Sequence, residues 1–256
     1  MNLVLEDLFT LLATGLIPML RISAMLVAAP LVSLDAVSLP IRIVISLALT
    51  WIIYPLIELP EVNLMSAEGV TMLVRELFIG VSIAIVLQVV NAAIIVAGHA
   101  ISTGMGLGMA QVMDPSAGTV PALSSFFVVL STLIFMSFGG HAILFVLVLQ
   151  SFELIPVGAQ FDIGTVILNV MTWSSMVFLG AMLLAMPVML AMMLINLSLG
   201  IVTRTAPALN IFAVGFPAMI ITGFILVIIN LPNIGYRIEW LWLEAFERVT
   251  SIWLGP

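Results

Sequence analysis

Long uncharged apolar stretches separated by short polar ones run the length of the chain. The first stretch, Leu8 to about Leu34, is interrupted by Pro18, Arg21 and Pro30. Proline removes a backbone donor, and a charge at membrane depth has to face protein, so this pattern predicts a broken or kinked helix packed against other helices. The second stretch, Ile43 to Ile57, carries Pro55 near its end. It falls short of the ~20 residues of a bilayer span and reads as half of a bent hairpin. Residues 58–76 hold Glu58, Glu61, Glu68, Arg75 and Glu76 and are predicted to be a polar loop. An acidic loop without lysine leans toward the outer side of a membrane under the positive-inside rule. Leu77 to Gly98 is the cleanest span, 22 residues without a charge.

After Gly98 the texture changes. His99 to Pro121 reads HAISTGMGLGMAQVMDPSAGTVP, dense in glycine and methionine. Ala122 to Phe138 is apolar, Gly139-Gly140-His141 breaks it, and Ala142 to Phe152 is apolar again. Glu153, Pro156, Gly158 and Asp162 mark the next loop. Ile163 to Thr203 is 41 residues without a formal charge. As one helix it would reach ~60 Å, about twice a ~30 Å hydrocarbon core. It must fold back or extend beyond the bilayer, and Gly180 and Pro187 are the candidate break points. Thr205 to Tyr236 is a further uncharged run that contains Pro207, Pro217, Gly223 and Pro232. The tail differs: Ile238, Leu241, Trp242, Ala245, Phe246, Val249 and Trp253 fall on one helical face, with Glu239, Glu244, Glu247 and Arg248 on the other. This amphipathic helix ends at Gly255-Pro256. Its polar face is acidic, whereas a membrane-surface helix carries a basic one, so docking against protein is expected.

Composition decides the class. Of 256 residues, 63% are hydrophobic and 7% charged, and the mean hydropathy is +1.35. Soluble domains carry about 25% charged residues. Because the apolar runs are continuous and do not alternate, a β-barrel is excluded. The fold class is an all-α integral membrane protein of bent helical hairpins with broken helices and a C-terminal amphipathic helix. Soluble enzymes, nucleic-acid binders and disulfide scaffolds are excluded. There is no cysteine and no lysine, and the six arginines are dispersed, so no polybasic patch exists to grip nucleic acid or anionic lipid. Glu6 and Asp7 stand where a signal peptide would be basic, so a cleaved leader is not expected.

Polar groups are few. Gln88, Asn91, Asn169, Asn196, Asn210, His99 and His141 interrupt apolar runs and read as hydrogen-bonded glue between helices. A proton or solute pathway needs several ionisable groups at membrane depth, and only Arg21, Asp114 and His99 qualify. The two histidines lack metal-ligand spacing, no nucleophile elbow is present, and GMGLG at 104–108 lacks the dinucleotide GxGxxG pattern. No catalytic residue, cofactor or metal is expected. Met182, Met186, Met189 and Met193 share helical spacing and read as packing. Met105, Met109 and Met113 lie among glycines, where soft side chains on a permissive backbone suit a compliant seal; an ordinary re-entrant loop is equally compatible.

Several segments carry a resemblance. RELFIGVSIAIVLQ (75–88), MGLGMAQVMDP (105–115), GGH (139–141), AMPV (185–188) and LGIVTRTAPALNIFAVGFP (199–217), with PLVSL and LPIRIVISLALTWIIYP near the start, resemble the FliR family over nearly the whole chain. Ala208 and Met219 depart from the Gln and Lys common at those places. The family comprises subunits of the flagellar type III secretion export gate, with SctT-like counterparts in injectisomes. The resemblance implies a single membrane domain over 1–256, FliP-like over 1–160 and FliQ-like over 161–256. It implies a place in the bacterial inner membrane and flagellar basal body, partly on the periplasmic side. The implied partners are several FliP- and FliQ-like copies, an FlhB-like subunit, membrane lipid, and unfolded flagellar proteins as cargo, with no nucleic acid. The implied pore plug is the loop 104–121, with Gly104, Met105, Gly106, Leu107, Gly108, Met109, Val112, Met113, Asp114 and Pro115, of which Met109, Val112 and Met113 are the expected constriction. Arg75, Glu76, Gly139, His141, Arg204, Pro207, Asn210, Phe212, Gly215 and Pro217 are the residues it implies for subunit packing. A polytopic secondary transporter of a small solute is the alternative.

Overall fold

The computed structural model describes residues 15–27, 38–57, 59–60, 66–107, 122–205 and 211–253. All regular structure among the described residues is helical. The helices are α1 (Gly15–Val27), α2 (Leu39–Ile53) closed by a short 3-10 turn (Tyr54–Leu56), α3 (Ala67–Gly104), α4 (Ala122–Ser137), α5 (Gly140–Leu154), α6 (Ile163–Ser174), α7 (Met176–Thr205) and α8 (Ile211–Ser251). By length and apolarity four segments can cross a membrane: Leu39–Leu56, Ala67–Gly104, Ile163–Thr205 and Gly215–Ser251. The broken pair α4 and α5 counts as a fifth when taken as one span. The protein is an all-α integral membrane protein built from broken helices.

Several boundaries differ from the sequence expectation: Glu153 belongs to α5 and not to the loop after it, and three further differences have a physical reason. The polar loop does not reach residue 76, because α3 begins at Ala67. Ser66 caps it: its Oγ accepts the Gly69 amide at 3.1 Å, its carbonyl accepts the Val70 amide, and Glu68 in the first turn complements the helix dipole. Glu68, Arg75 and Glu76 are therefore helical. The long uncharged run breaks at Ser175 and not at Gly180 or Pro187, both of which lie inside α7. Gly180 is a packing glycine, since a Cβ there would lie 3.1 Å from Leu241 and 3.2 Å from Ala93. Finally, Pro217, Gly223 and Pro232 do not interrupt α8, whose 41 residues run unbroken into the amphipathic tail. At ~1.5 Å per residue α8 is ~60 Å long, about twice a hydrocarbon core.

Contacts divide the chain into two compact units, each discontinuous in sequence. The first comprises residues 1–89, 139–174 and 244–256. Ile17, Ile22 and Met25 of α1, Ile79 and Ile83 of α3, Leu144 and Leu147 of α5, and Phe246 and Val249 of α8 are buried. Polar groups tie its helices together: the Trp173 indole N–H donates to the Val86 carbonyl at 3.0 Å and Asn169 Nδ2 to the Ile252 carbonyl at 3.0 Å. Gly80 admits α1, since a Cβ there would collide with the Arg21 carbonyl oxygen and lie 2.8 Å from Ala24 Cβ.

The second unit comprises residues 90–138 and 175–243. At Gly98 a Cβ would stand 2.6 Å from Ser124 Cα, so α3 and α4 touch backbone to backbone, and Ser124 Oγ donates to the Ile95 carbonyl at 3.1 Å. Trp242 is buried edge-to-face on Phe135, centroids 4.8 Å apart, and its indole N–H donates to Ser131 Oγ at 2.9 Å. Ile238, Leu241 and Trp242, the tail residues of this unit's apolar face, are buried.

Asp162 starts α6. Its carboxylate accepts the Thr165 hydroxyl at 2.6 Å and the amides of Gly164 and Thr165 at 3.0 and 3.3 Å. Led by the Thr165 hydroxyl and then the Gly164 amide, these donors hold its carboxyl below the ordinary carboxylate range. A depressed folded pKa gives a contribution that is full above the unfolded carboxylate pKa and lost as pH falls through the folded value. Acidification is expected to loosen the first turn of α6, read as a lower protection factor at the Gly164 and Thr165 amides once the intrinsic pH dependence of exchange is divided out. Asp162→Asn, a cap with no carboxyl proton, is expected to abolish that fall in protection.

Candidate functional site

The Gly-Met segment begins where α3 stops, and the stop is built by its own sequence. The Leu107 amide donates to the Ser102 carbonyl and the Gly106 amide to the Thr103 carbonyl, both at 3.0 Å. Gly106 has φ +80°, a left-handed conformation that glycine takes without strain. These are the two bonds and the αL residue of a Schellman motif, which satisfies the carbonyls left open at a helix C-terminus. Phe216 and Met219 of α8 lie over Gly106, their nearest atoms 3.4 and 3.5 Å from where a Cβ would be.

Met105, the residue before the turn, is wholly buried. It wraps Gly223 of α8 so closely that a Cβ at Gly223 would stand 2.5 Å from Met105 Cγ and 2.7 Å from its Cε. The Ser102 hydroxyl, buried in the same turn, makes no hydrogen bond with any described residue. Gly104, Met105, Gly106 and Leu107 therefore form a fixed stub on α8. Gly108, Met109, Val112, Met113, Asp114 and Pro115 lie outside the described residues.

A second polar centre lies in the first unit. Arg21 and Glu76 are both buried and form a bidentate pair, Nε to Oε2 at 2.6 Å and Nη2 to Oε1 at 3.0 Å. Nη1 donates to the Ser151 carbonyl at 2.7 Å and to Ser151 Oγ at 3.4 Å, and Nη2 to the Ile155 carbonyl at 3.0 Å. Its Cζ sits 4.1 Å from the Phe152 ring centroid, a cation–π contact. All five guanidinium N–H groups are used. Ser151 and Ile155 lie at the C-terminal end of α5, where open carbonyls and the helix dipole favour a cation. Arg21 at membrane depth demands such a partner, and Glu76, which its charge alone would place in a loop, supplies it from inside α3.

The remaining expected packing residues are dispersed. Arg75 lines an open cavity of about 500 Å³ with Glu68, Thr71, Met72 and Gln160. Gly139, φ +75°, makes the left-handed turn between α4 and α5, and His141 beside it is exposed. Arg204 is exposed on a cavity of about 530 Å³ with Asn196 and Gly200. Gly215 is buried and Pro217 exposed in α8, and Phe212 belongs to its first turn. Pro207 and Asn210 lie outside the described residues. His99 is exposed. No three His, Asp or Glu side chains among the described residues cluster as metal ligands would.

A sequence profile of the bacterial export proteins, family 1, matches residues 12–245. The chain is 31% identical over 236 residues to the flagellar biosynthetic protein FliR of Pectobacterium carotovorum subsp. carotovorum, covering 92% of this chain and 90% of that one. It is 30% identical to the flagellar biosynthetic protein FliR of Escherichia coli K12 with the same coverage. To that of Bacillus subtilis 168 it is 29% identical over 88% of each chain.

Proposed function

This chain belongs to family 1 of the bacterial export proteins, the FliR proteins, and from that membership we propose that it helps form, and plugs, the pore through which unfolded flagellar proteins are exported across the inner membrane. It is a membrane subunit of the flagellar export apparatus. In the finer reading it sits in the inner membrane, partly on the periplasmic side, and assembles with several FliP- and FliQ-like subunits and an FlhB-like one. Residues 1–160 correspond to the FliP-like part and 161–256 to the FliQ-like part. The role is structural and not enzymatic.

The observation that carries the plug reading is the stub at Met105–Gly106. A plug has to hang from something that does not move, and the Schellman turn, with Met105 seated on Gly223, is such a root. Residues 104–121 then supply glycines for a loop and Met109, Val112 and Met113 for an apolar constriction, which blocks ions by dewetting. Arg75, Glu76, Gly139, His141, Arg204, Pro207, Asn210, Phe212, Gly215 and Pro217 are proposed to set the packing against neighbouring subunits, Glu76 indirectly by fixing α1 on α3.

Deleting Gly106–Asp114 is expected to make resting cells leak small ions while the assembly still forms. The check is membrane permeability to a small cation, with the co-purifying subunits identified by mass spectrometry. Unchanged permeability in an intact assembly would sink the plug. A purified chain that takes up solute without partners would instead favour the transporter reading.

A further inference from the structure

An open groove of about 600 Å³ runs along α7 in the second unit, a volume in the 300–1,000 Å³ range of small-ligand sites. Phe178, Met182, Met186 and Leu190, spaced four residues apart, form its apolar stripe, with Pro187 beside them. From Phe178 to Leu190 the stripe is ~18 Å long. Phe178 is 71% exposed and Leu190 57%. The two methionines are unbranched and adaptable, a lining that conforms to a mobile chain.

One charged side chain lines this groove, Arg237 of α8. It is exposed and makes no ion pair or hydrogen bond with any described residue. The nearest acid along its helix, Glu239, is ~200° around the axis and faces away. Arg237 is also the first charge after the 32 uncharged residues Thr205–Tyr236. Tyr236, 72% exposed, and Trp240, 42% exposed, flank it. An amphipathic aromatic pair at the end of an apolar run marks headgroup depth. A lone guanidinium there calls for an anion, and it matches a phosphate with two parallel N–H···O bonds.

We propose that this groove is a binding site for an anionic glycerophospholipid, its phosphate paired with Arg237 and one acyl chain running from that level past Met186 and Leu190. The site needs no polybasic patch, because the groove fixes the lipid and the single cation selects its headgroup. It does not rest on the plug reading.

The test uses the assembly purified from native membranes in mild detergent and washed until bulk lipid is gone. Mass spectrometry is expected to find retained anionic phospholipid in the wild type. Retention is expected to fall about tenfold or more in Arg237→Gln, the consequence of losing a charge-assisted hydrogen bond, with the subunit composition unchanged. Arg237→Lys is expected to restore part of it, and Met186→Trp to reduce it while keeping the cation. Should Arg237→Gln fail to assemble, wild-type protein in vesicles gives an independent readout: brominated phosphatidylglycerol is expected to quench the Trp240 region more than brominated phosphatidylcholine. Absence of retained anionic lipid, equal retention in Arg237→Gln, equal quenching by both lipids, or loss of a protein subunit in place of lipid would each overturn the proposal. Because ion leakage is not the readout, failure here is separable from failure of the plug.

Discussion

Arg21→Ala is expected to lower the stability of the purified assembly by about 3–5 kcal/mol. The loss is larger than that of a surface ion pair because Glu76 stays behind, buried and uncompensated. The carbonyls of Ser151 and Ile155 lose their donors in the same step. Thermal unfolding in detergent and steady-state abundance in membranes both read this out. Arg21→Met combined with Glu76→Leu is expected to recover most of the loss, because apolar side chains of similar volume remove both charges at once. Reversing the pair, Arg21→Glu with Glu76→Arg, is not expected to recover it, since a carboxylate at 21 repels the carbonyl end of α5. A single Arg21→Ala variant as stable as wild type would show that the pair is solvated and of no structural weight.

Gly98→Val is expected to cost about 1–3 kcal/mol and to part α3 from α4. The obstacle is backbone: an added Cβ meets Ser124 Cα at 2.6 Å and its nitrogen at 3.0 Å, and neither can rotate away. Gly200→Ala in α7 is the informative contrast. Nothing lies within 4 Å of a Cβ there, so the change is expected to stabilise the helix by about 0.5–1 kcal/mol through propensity alone. Melting temperatures of the two variants, measured side by side, should move in opposite directions. If Gly98→Val melts like wild type, the close approach of the two helices is not a rigid one.

Class and family were legible in the residues, because continuous apolar runs and motifs such as MGLGMAQVMDP need no three-dimensional information. Boundaries were less legible where one rule was asked to do two jobs. Charge marked loops correctly at Asp162 but misled at Glu76, whose carboxylate is buried by a partner 55 residues away. Gly180 and Pro187, the break points offered for the long uncharged run, both lie inside α7, and the break comes at Ser175. In these long helices a small residue can serve a neighbour's side chain, as Gly223 serves Met105 and Gly180 serves Leu241. Such pairings depend on which helices meet, and periodicity along one helix does not record that. At the site, the sequence supplied the Gly-Met composition, while the seat of Met105 on α8 required the fold.

The arginine of α1 also constrains how the protein is made. Its carboxylate partner is 55 residues downstream and its two carbonyl partners 130 and 134 residues downstream. At ~5–20 residues per second of synthesis, the cation waits on the order of ten seconds before the chain that completes its shell exists. During that interval α1 carries an unmatched charge that hydrocarbon disfavours. The first helix therefore cannot settle as an independent span when it emerges. It is expected to wait at the interface until α3 and α5 arrive, so that α1 is synthesised before them and docks after them.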